Sequence, residues 1–236
     1  MALPKIDQPL FEIIIPSTGK KAKYRPFTVK EEKILLIAQE SKDMDQIILA
    51  VKQIINNCIN DVEVDDMPIF DLEYILMNIR AKSVNNEISF SIEDPDTKEK
   101  VELNVDINDI KMKHDANHSK KVVLNDDYYM MMRYPTINEI SGLFIQDGET
   151  EAESSFNTMI SCIETLVNLE TDEVYQFEDF SSEEVNEFVE QFTAQTMEAM
   201  QGFFTTVPKM TYACNYKDNT GKDKTFNMEG MDTFFT

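Results

Sequence analysis

Apolar and polar positions along the chain follow two different periods, and the switches between them divide it into blocks. Residues 11–15 and 22–25 are rich in Phe, Ile and Tyr and flank Pro16-Ser-Thr-Gly-Lys20, so an N-terminal hairpin is predicted there. Thr28 with Glu31 fits a capping box and starts a helix that runs to about Gln39. A second helix begins near Asp43, with Ile47, Ile48, Val51, Ile54, Ile55 and Cys58 on one face. A third covers 69–82, with Leu72, Ile75, Leu76 and Ile79 inward and Pro68 at its start. The period then becomes two: Ile88, Phe90 and Ile92 alternate with serines, and Val101, Leu103 and Val105 with polar residues, on either side of an Asp-rich turn. Short strands are predicted at 121–124 and 128–134.

Helical spacing returns over 136–146, 152–166 and 182–205. Ser181 and Glu184 form a second capping box before a face of Val185, Phe188, Val189 and Phe192, and Thr193 re-caps a segment carrying Met197, Met200, Phe203 and Phe204. Strands at 210–216 and 223–228 make a last hairpin. Strands and helices come in runs rather than in strict alternation, which predicts an α+β fold. The organisation expected is a hairpin and three helices over 1–84, a central β region over 85–134, and a helical region with a C-terminal hairpin over 135–236. The second and third hairpins share a strand, Asp-rich turn, Lys-x-Lys, strand pattern. Few residues match and the inward and outward phases differ, so the pattern reads as one element used twice.

Charge adds a second layer. The 236 residues carry 44 acids against 22 Lys and Arg, a net −22. Residues 135–208 hold 16 of the acids and no Lys, Arg or His, so most of that charge lies in the helical back of the chain. Nucleic acid and anionic membranes would be repelled, whereas a basic protein partner would be attracted. Glu183, Glu184, Glu187 and Glu190 stand three and four residues apart on the expected 182–205 helix, and they forgo the acid–base pairs that usually solvate such a face. They are the first candidate partner-binding residues. Phe234 and Phe235 near the C-terminus are the second, because two such rings are too apolar to be left in water. No apolar run is long enough to span a membrane, and the N-terminus has no basic-then-apolar signal.

Material for catalysis is thin. His114 and His118 are the only histidines, and their surroundings read as a loop rather than as a helix aiming two imidazoles at a metal. Cys58, Cys162 and Cys214 are far apart and form no CxxC pair. Ser17-Thr-Gly-Lys20 lacks the leading glycine and trailing hydroxyl of a phosphate loop. The acids at 61–66 lack the glycine of a calcium loop. No catalytic residue, metal ligand or cofactor is assigned, and the chain is expected not to be an enzyme. An acidic DNA-mimic inhibitor is the alternative of another class.

Taken in order, several strings resemble the baseplate hub subunit family of T-even-like contractile-tailed bacteriophages. They are the strand at 11–15 with Pro16-Ser-Thr-Gly-Lys-Lys21, Tyr24-Arg-Pro-Phe27, Val29-Lys-Glu-Glu-Lys-Ile-Leu-Leu36, Phe70-Asp-Leu-Glu-Tyr74 and Ile79-Arg-Ala-Lys-Ser83. Tyr134-Pro135, Phe203-Phe204, Val207-Pro-Lys209, Glu229-Gly230 and Phe234-Phe235 continue the series. The resemblance implies a structural or assembly role at the tail hub, in the virion baseplate or in the host cytoplasm during assembly. Its partners would be other tail and hub proteins, and a transient chaperone for a hub or tape-measure protein is a variant of the same role. Some relatives have paired cysteines in a hairpin near the C-terminus. Only Cys214 stands there in this chain, so a zinc-stapled hairpin is not carried over.

Overall fold

The structure is a computed structural model and describes residues 6–41, 43–84, 87–140 and 150–229. The chain forms two compact units, one comprising 1–113 with 209–236, the other 114–208. The junctions between the units fall at 113/114 and 208/209.

The first unit opens with strands β1 (Phe11–Ile14) and β2 (Lys21–Tyr24), followed by helices α1 (Val29–Ser41) and α2 (Met44–Cys58), a short return strand β3 (Ile59–Asn60) and helix α3 (Ile69–Ser83). The three strands form an antiparallel sheet in the order β1-β2-β3. The β1–β2 turn closes through bonds from Gly19 N–H to the Ile15 carbonyl and from Ile15 N–H to the Lys20 carbonyl. Gly19 sits at φ +68°, a conformation that glycine adopts without strain. Inside the turn, the Ser17 N–H (3.0 Å) and hydroxyl both donate to the buried Asp71 carboxylate, so the phosphate-loop-like string is a structural clip onto α3. Burial raises the Asp71 pKa against those bonds. Val51, Ile54 and Ile55 of α2 and Leu72, Ile75 and Ile79 of α3 are almost fully buried. At roughly 1.5–3 kcal/mol per large aliphatic side chain, these faces supply much of the unit's cohesion.

The hairpin β4 (Glu87–Glu93)–β5 (Lys100–Asp106) follows, then β6 (Lys111–Lys113). The second unit begins with β7 (Lys121–Val123) and β8 (Tyr128–Met132), continues through helices α4 (Ile137–Ile140) and α5 (Glu151–Ser161), and returns as β9 (Ile163–Asn168) and β10 (Val174–Gln176). Its sheet has the order β10-β9-β8-β7. Helices α6 (Ser182–Val189) and α7 (Ala194–Thr205) complete it. The last hairpin, β11 (Lys209–Lys217) with β12 (Asp223–Glu229), pairs with β6 in the first unit. The α+β expectation holds. The helix expected over 152–166 stops at Ser161. Residues from Ile163 onward form β9, because Ile163, Thr165 and Val167 are β-branched and favour the extended chain. Of the helix expected over 136–146, residues 141–146 lie outside the described residues.

The order of elements runs twice. A hairpin leads into two helices, a return strand pairs beside the hairpin's second strand, then a helix ends three residues before another hairpin. The same polar clasp holds each copy. Arg25 and Arg133 follow β2 and β8, and their N–H groups donate to the carbonyls of Cys58 and Cys162, both at 2.8 Å. Each guanidinium pairs with the glutamate six residues on, Glu31 at 3.1 Å and Glu139 at 2.7 Å. Each glutamate also accepts from a threonine, Thr28 (N–H 2.9 Å, hydroxyl 2.6 Å) or Thr136 (2.8 and 3.0 Å), which starts the next helix. Burial opposes ionisation of both acids, but the arginine and threonine donors outweigh it and hold each at about 2. The two thiols lie under their clasps, and burial pushes Cys58 up to about 11 and Cys162 up to about 12. The sharing seen in the two later hairpins is therefore one part of a larger duplication.

Candidate functional site

The two copies differ most between the return strand and the helix before the final hairpin. In the first copy, only residues 61–68 connect β3 to α3. In the second, residues 169–193 connect β9 to α7 and form β10, a 3-10 turn at Phe177–Asp179 and α6. This added segment contains nine of the acids, from Glu170 to Glu190, and no base. It is also where the unit opens.

A cleft of about 620 Å³ lies between one face of the sheet and α6. Tyr128 of β8, Leu166 of β9 and Tyr175 of β10 line it from the sheet, and Val185 and Phe188 line it from α6. Phe177 and Phe180 add two more rings, and Phe180 is 42% exposed. The rings support one another edge to face: Phe177 and Phe188 have centroids 6.0 Å apart, and Phe188 and Phe192 5.3 Å apart. A second, more polar groove of about 760 Å³ adjoins it and shares Phe177, Phe180 and Val185, so the start of α6 stands between two openings.

Helix α6 is short, and its anchoring explains the shape. Ser181 caps it, accepting from the Glu184 N–H, while Glu184 accepts from the Ser181 N–H at 2.9 Å and its hydroxyl at 2.9 Å. Those bonds lower the Glu184 pKa. Val189 is its one buried residue, so the helix rests on a narrow stripe and leaves Val185 and Phe188 half exposed to the cleft. The Tyr175 hydroxyl donates to Glu173 at 2.6 Å, a bond that raises the tyrosine pKa and fixes the ring.

The structure sorts the residues singled out from the sequence. Glu183, Glu184 and Glu187 are exposed on α6, and Glu190, also exposed, follows its last residue. Glu184 and Glu187 stand on the cleft lining, whereas Glu183 and Glu190 do not. Phe234 and Phe235 lie outside the described residues. The aromatic lining was read from sequence only as a core face for Phe188 and Phe192. Tyr128, Leu166 and Tyr175 could not be joined to it without the missed strands β9 and β10. His118 bonds Thr206 Oγ1 and Tyr134 Oη, both at 2.9 Å, and stacks on Tyr134. Among the described residues, no group of three His, Cys, Asp or Glu side chains is placed to hold a metal, and no helix is long and apolar enough to cross a membrane.

These features define an α+β protein whose second unit carries an acidic segment beside an aromatic-lined cleft. The pattern of a known family, the T4 bacteriophage base plate protein, matches residues 8–236, and the chain belongs to that family. No curated protein and no solved structure matches it. Family membership gives the chain a structural or assembly role among phage baseplate and tail proteins.

Proposed function

We propose that the chain is a non-enzymatic component of the tail baseplate hub, as a subunit or as an assembly factor, that works by docking a hub or tape-measure protein with a basic surface. The observation that carries this reading is the acidic segment 169–193, which one copy of the duplicated module has and the other lacks. A fold that closes without the segment does not need it for closure. Nine acids without a base cost self-repulsion that a plain solvated surface avoids by interleaving Lys and Arg. Steering of a cationic partner is the compensating gain. The exposed acids Glu183, Glu184, Glu187 and Glu190 supply the field, and Phe234 and Phe235 are a second contact proposed for the assembly.

The test is to delete the gene and to analyse purified particles by mass spectrometry. Loss of complete tails on deletion is expected. The chain's presence in particles then marks a virion subunit, and its absence marks an assembly factor that departs. Complete, infectious tails without the gene would overturn the proposal. Replacing Glu183, Glu187 and Glu190 together with Gln is expected to slow association with the partner at low salt and to flatten its salt dependence.

A further inference from the structure

We infer that the cleft between α6 and the β8–β9–β10 face is the anchoring site for one amphipathic, basic segment of the partner protein, which inserts bulky apolar side chains between Val185, Phe188 and Tyr175 while its Lys or Arg residues meet Glu184 and Glu187. The inference rests on the proposed docking role and says where and how the partner is held. Three observations converge on it. The opening is lined by aromatic and aliphatic side chains and has a volume of about 620 Å³, enough for two or three large side chains but shaped by a single narrow helix. Phe180 is 42% exposed beside it, an aromatic residue that a closed core would have covered. The charged side chains of the lining, Glu184 and Glu187, are both acidic, and no Lys, Arg or His occurs from 135 to 208.

The charge selects the occupant. A second copy of this chain would bring a like-charged surface of −16 over the same residues, and nucleic acid or an anionic membrane would be repelled in the same way. A segment that is apolar on one face and basic on the other gains from both parts of the site, by the same logic as helix-in-groove recognition. Apolar anchors then set the lifetime of the complex, and the acids set its rate of formation.

The probe is an 18-residue helical peptide of Leu and Lys with Leu on one face, added to the full chain. Two control peptides replace its Lys by Glu or its Leu by Ala. Binding is read by fluorescence anisotropy and by NMR of the Leu124, Leu166 and Val185 methyl groups. The Leu/Lys peptide is expected to bind and to shift these methyls, and both controls to bind at least tenfold more weakly. Val185→Arg, which places a cation in the cleft, is expected to weaken binding at least tenfold. Glu184→Gln with Glu187→Gln should weaken it several-fold at low salt only, while Glu198→Gln, outside the cleft, should change nothing. If Val185→Arg melts early, Gln191→Arg on the exposed lining takes its place. Equal binding of the Ala control, shifts confined to other methyls, unchanged binding to the cleft variants, or occupation of the cleft by self-association would each overturn the inference. Its failure is separable from that of the assembly role: normal tails from phage carrying Val185→Arg, when gene deletion blocks tails, would remove the docking site and leave the role standing.

Discussion

The two copies of the module use one clasp at two depths. In the first copy, the Glu31 side chain is 1% exposed and Arg25 25%; in the second, Glu139 is 24% exposed and Arg133 35%. The arginine, threonine and cysteine-carbonyl partners recur, but the more exposed second clasp adds Ser161, whose carbonyl accepts from the Arg133 guanidinium at 2.6 Å and whose hydroxyl donates to Glu139 at 3.1 Å. The first carboxylate is buried, whereas the polar groove containing Arg133, Asn157 and Ser161 opens beside the second. The comparison separates what the module needs in order to close from what one copy has added. The clasp and the return strand recur. The acidic segment 169–193 and its cleft do not.

The depth difference gives the largest expected effect. Glu31→Ala leaves the Arg25 guanidinium without its buried carboxylate and Thr28 without its acceptor, and should cost about 3 kcal/mol, as breaking a buried ion pair generally does. Glu139→Ala removes the bonds to Arg133, Thr136 and Ser161 from a more exposed site and should cost about 1–2 kcal/mol. Chemical denaturation of the two variants measures both. Equal losses would show that depth does not govern the clasp. Acid should sharpen the test. Both glutamates are held at about 2, below their unfolded value near 4.5. Their contribution is complete above about pH 4.5 and is lost as pH falls toward 2. The gap between the wild type and Glu31→Gln should therefore narrow over that window.

The two Asp-rich hairpin tips form a second comparison. In each, an aspartate accepts backbone N–H bonds across the turn: Asp94 from Asp96 and Thr97, and Asp218 from Thr220 and Lys222. The matching lysines then part. Lys224 reaches Asp94 at 2.7 Å, Asp96 at 3.0 Å and Asp218 at 3.3 Å, and Tyr216 Oη adds a bond to Asp94 at 2.7 Å. These carboxylates raise the Lys224 pKa, and the Lys224 bond is the main cause that lowers that of Asp94. Lys100, at the corresponding place in the first tip, is exposed. Lys224→Met should lower the unfolding midpoint clearly, and Lys100→Met should leave it nearly unchanged. Similar shifts from the two substitutions would make the tips equivalent.

Much of the scaffold was legible because local signals agreed with the outcome. Thr28 with Glu31, Ser181 with Glu184, and Thr193 all start helices as their side chains predicted. All three hairpins stand where the turn residues placed them. The duplication was not legible, because it is carried by four scattered positions (Arg, Thr, Glu and Cys) whose roles depend on a backbone pairing between residues about thirty apart. The strand at Ile163–Asn168 was read as helix because a short apolar run fits either period. Losing that strand hid the cleft, since one of its walls is the sheet that the strand helps to build.

The smallest expected effect concerns His118, which has no counterpart in the first copy. Its ring bonds the Tyr134 and Thr206 hydroxyls, stacks on Tyr134 and lies tilted against Phe203, with Lys120 over the Tyr134 ring. Burial, then the charge of Lys120, lowers its pKa, while Asp115 acts weakly the other way and His114 adds to the lowering. The folded second unit therefore favours neutral imidazole. The unfolded chain takes up the proton near pH 6.5, so stability is full above that value and declines as pH falls below it, until the folded form also titrates. Hydrogen exchange of the α7 amides should speed up between pH 7 and 5.5 beyond the intrinsic pH trend, while α3 amides in the first unit keep their protection. His118→Gln, which cannot gain the charge, should abolish the extra slope at some cost in absolute stability, because the amide replaces the ring only in part. An unchanged slope in that variant would place the sensitivity on another group and leave His118 as packing alone.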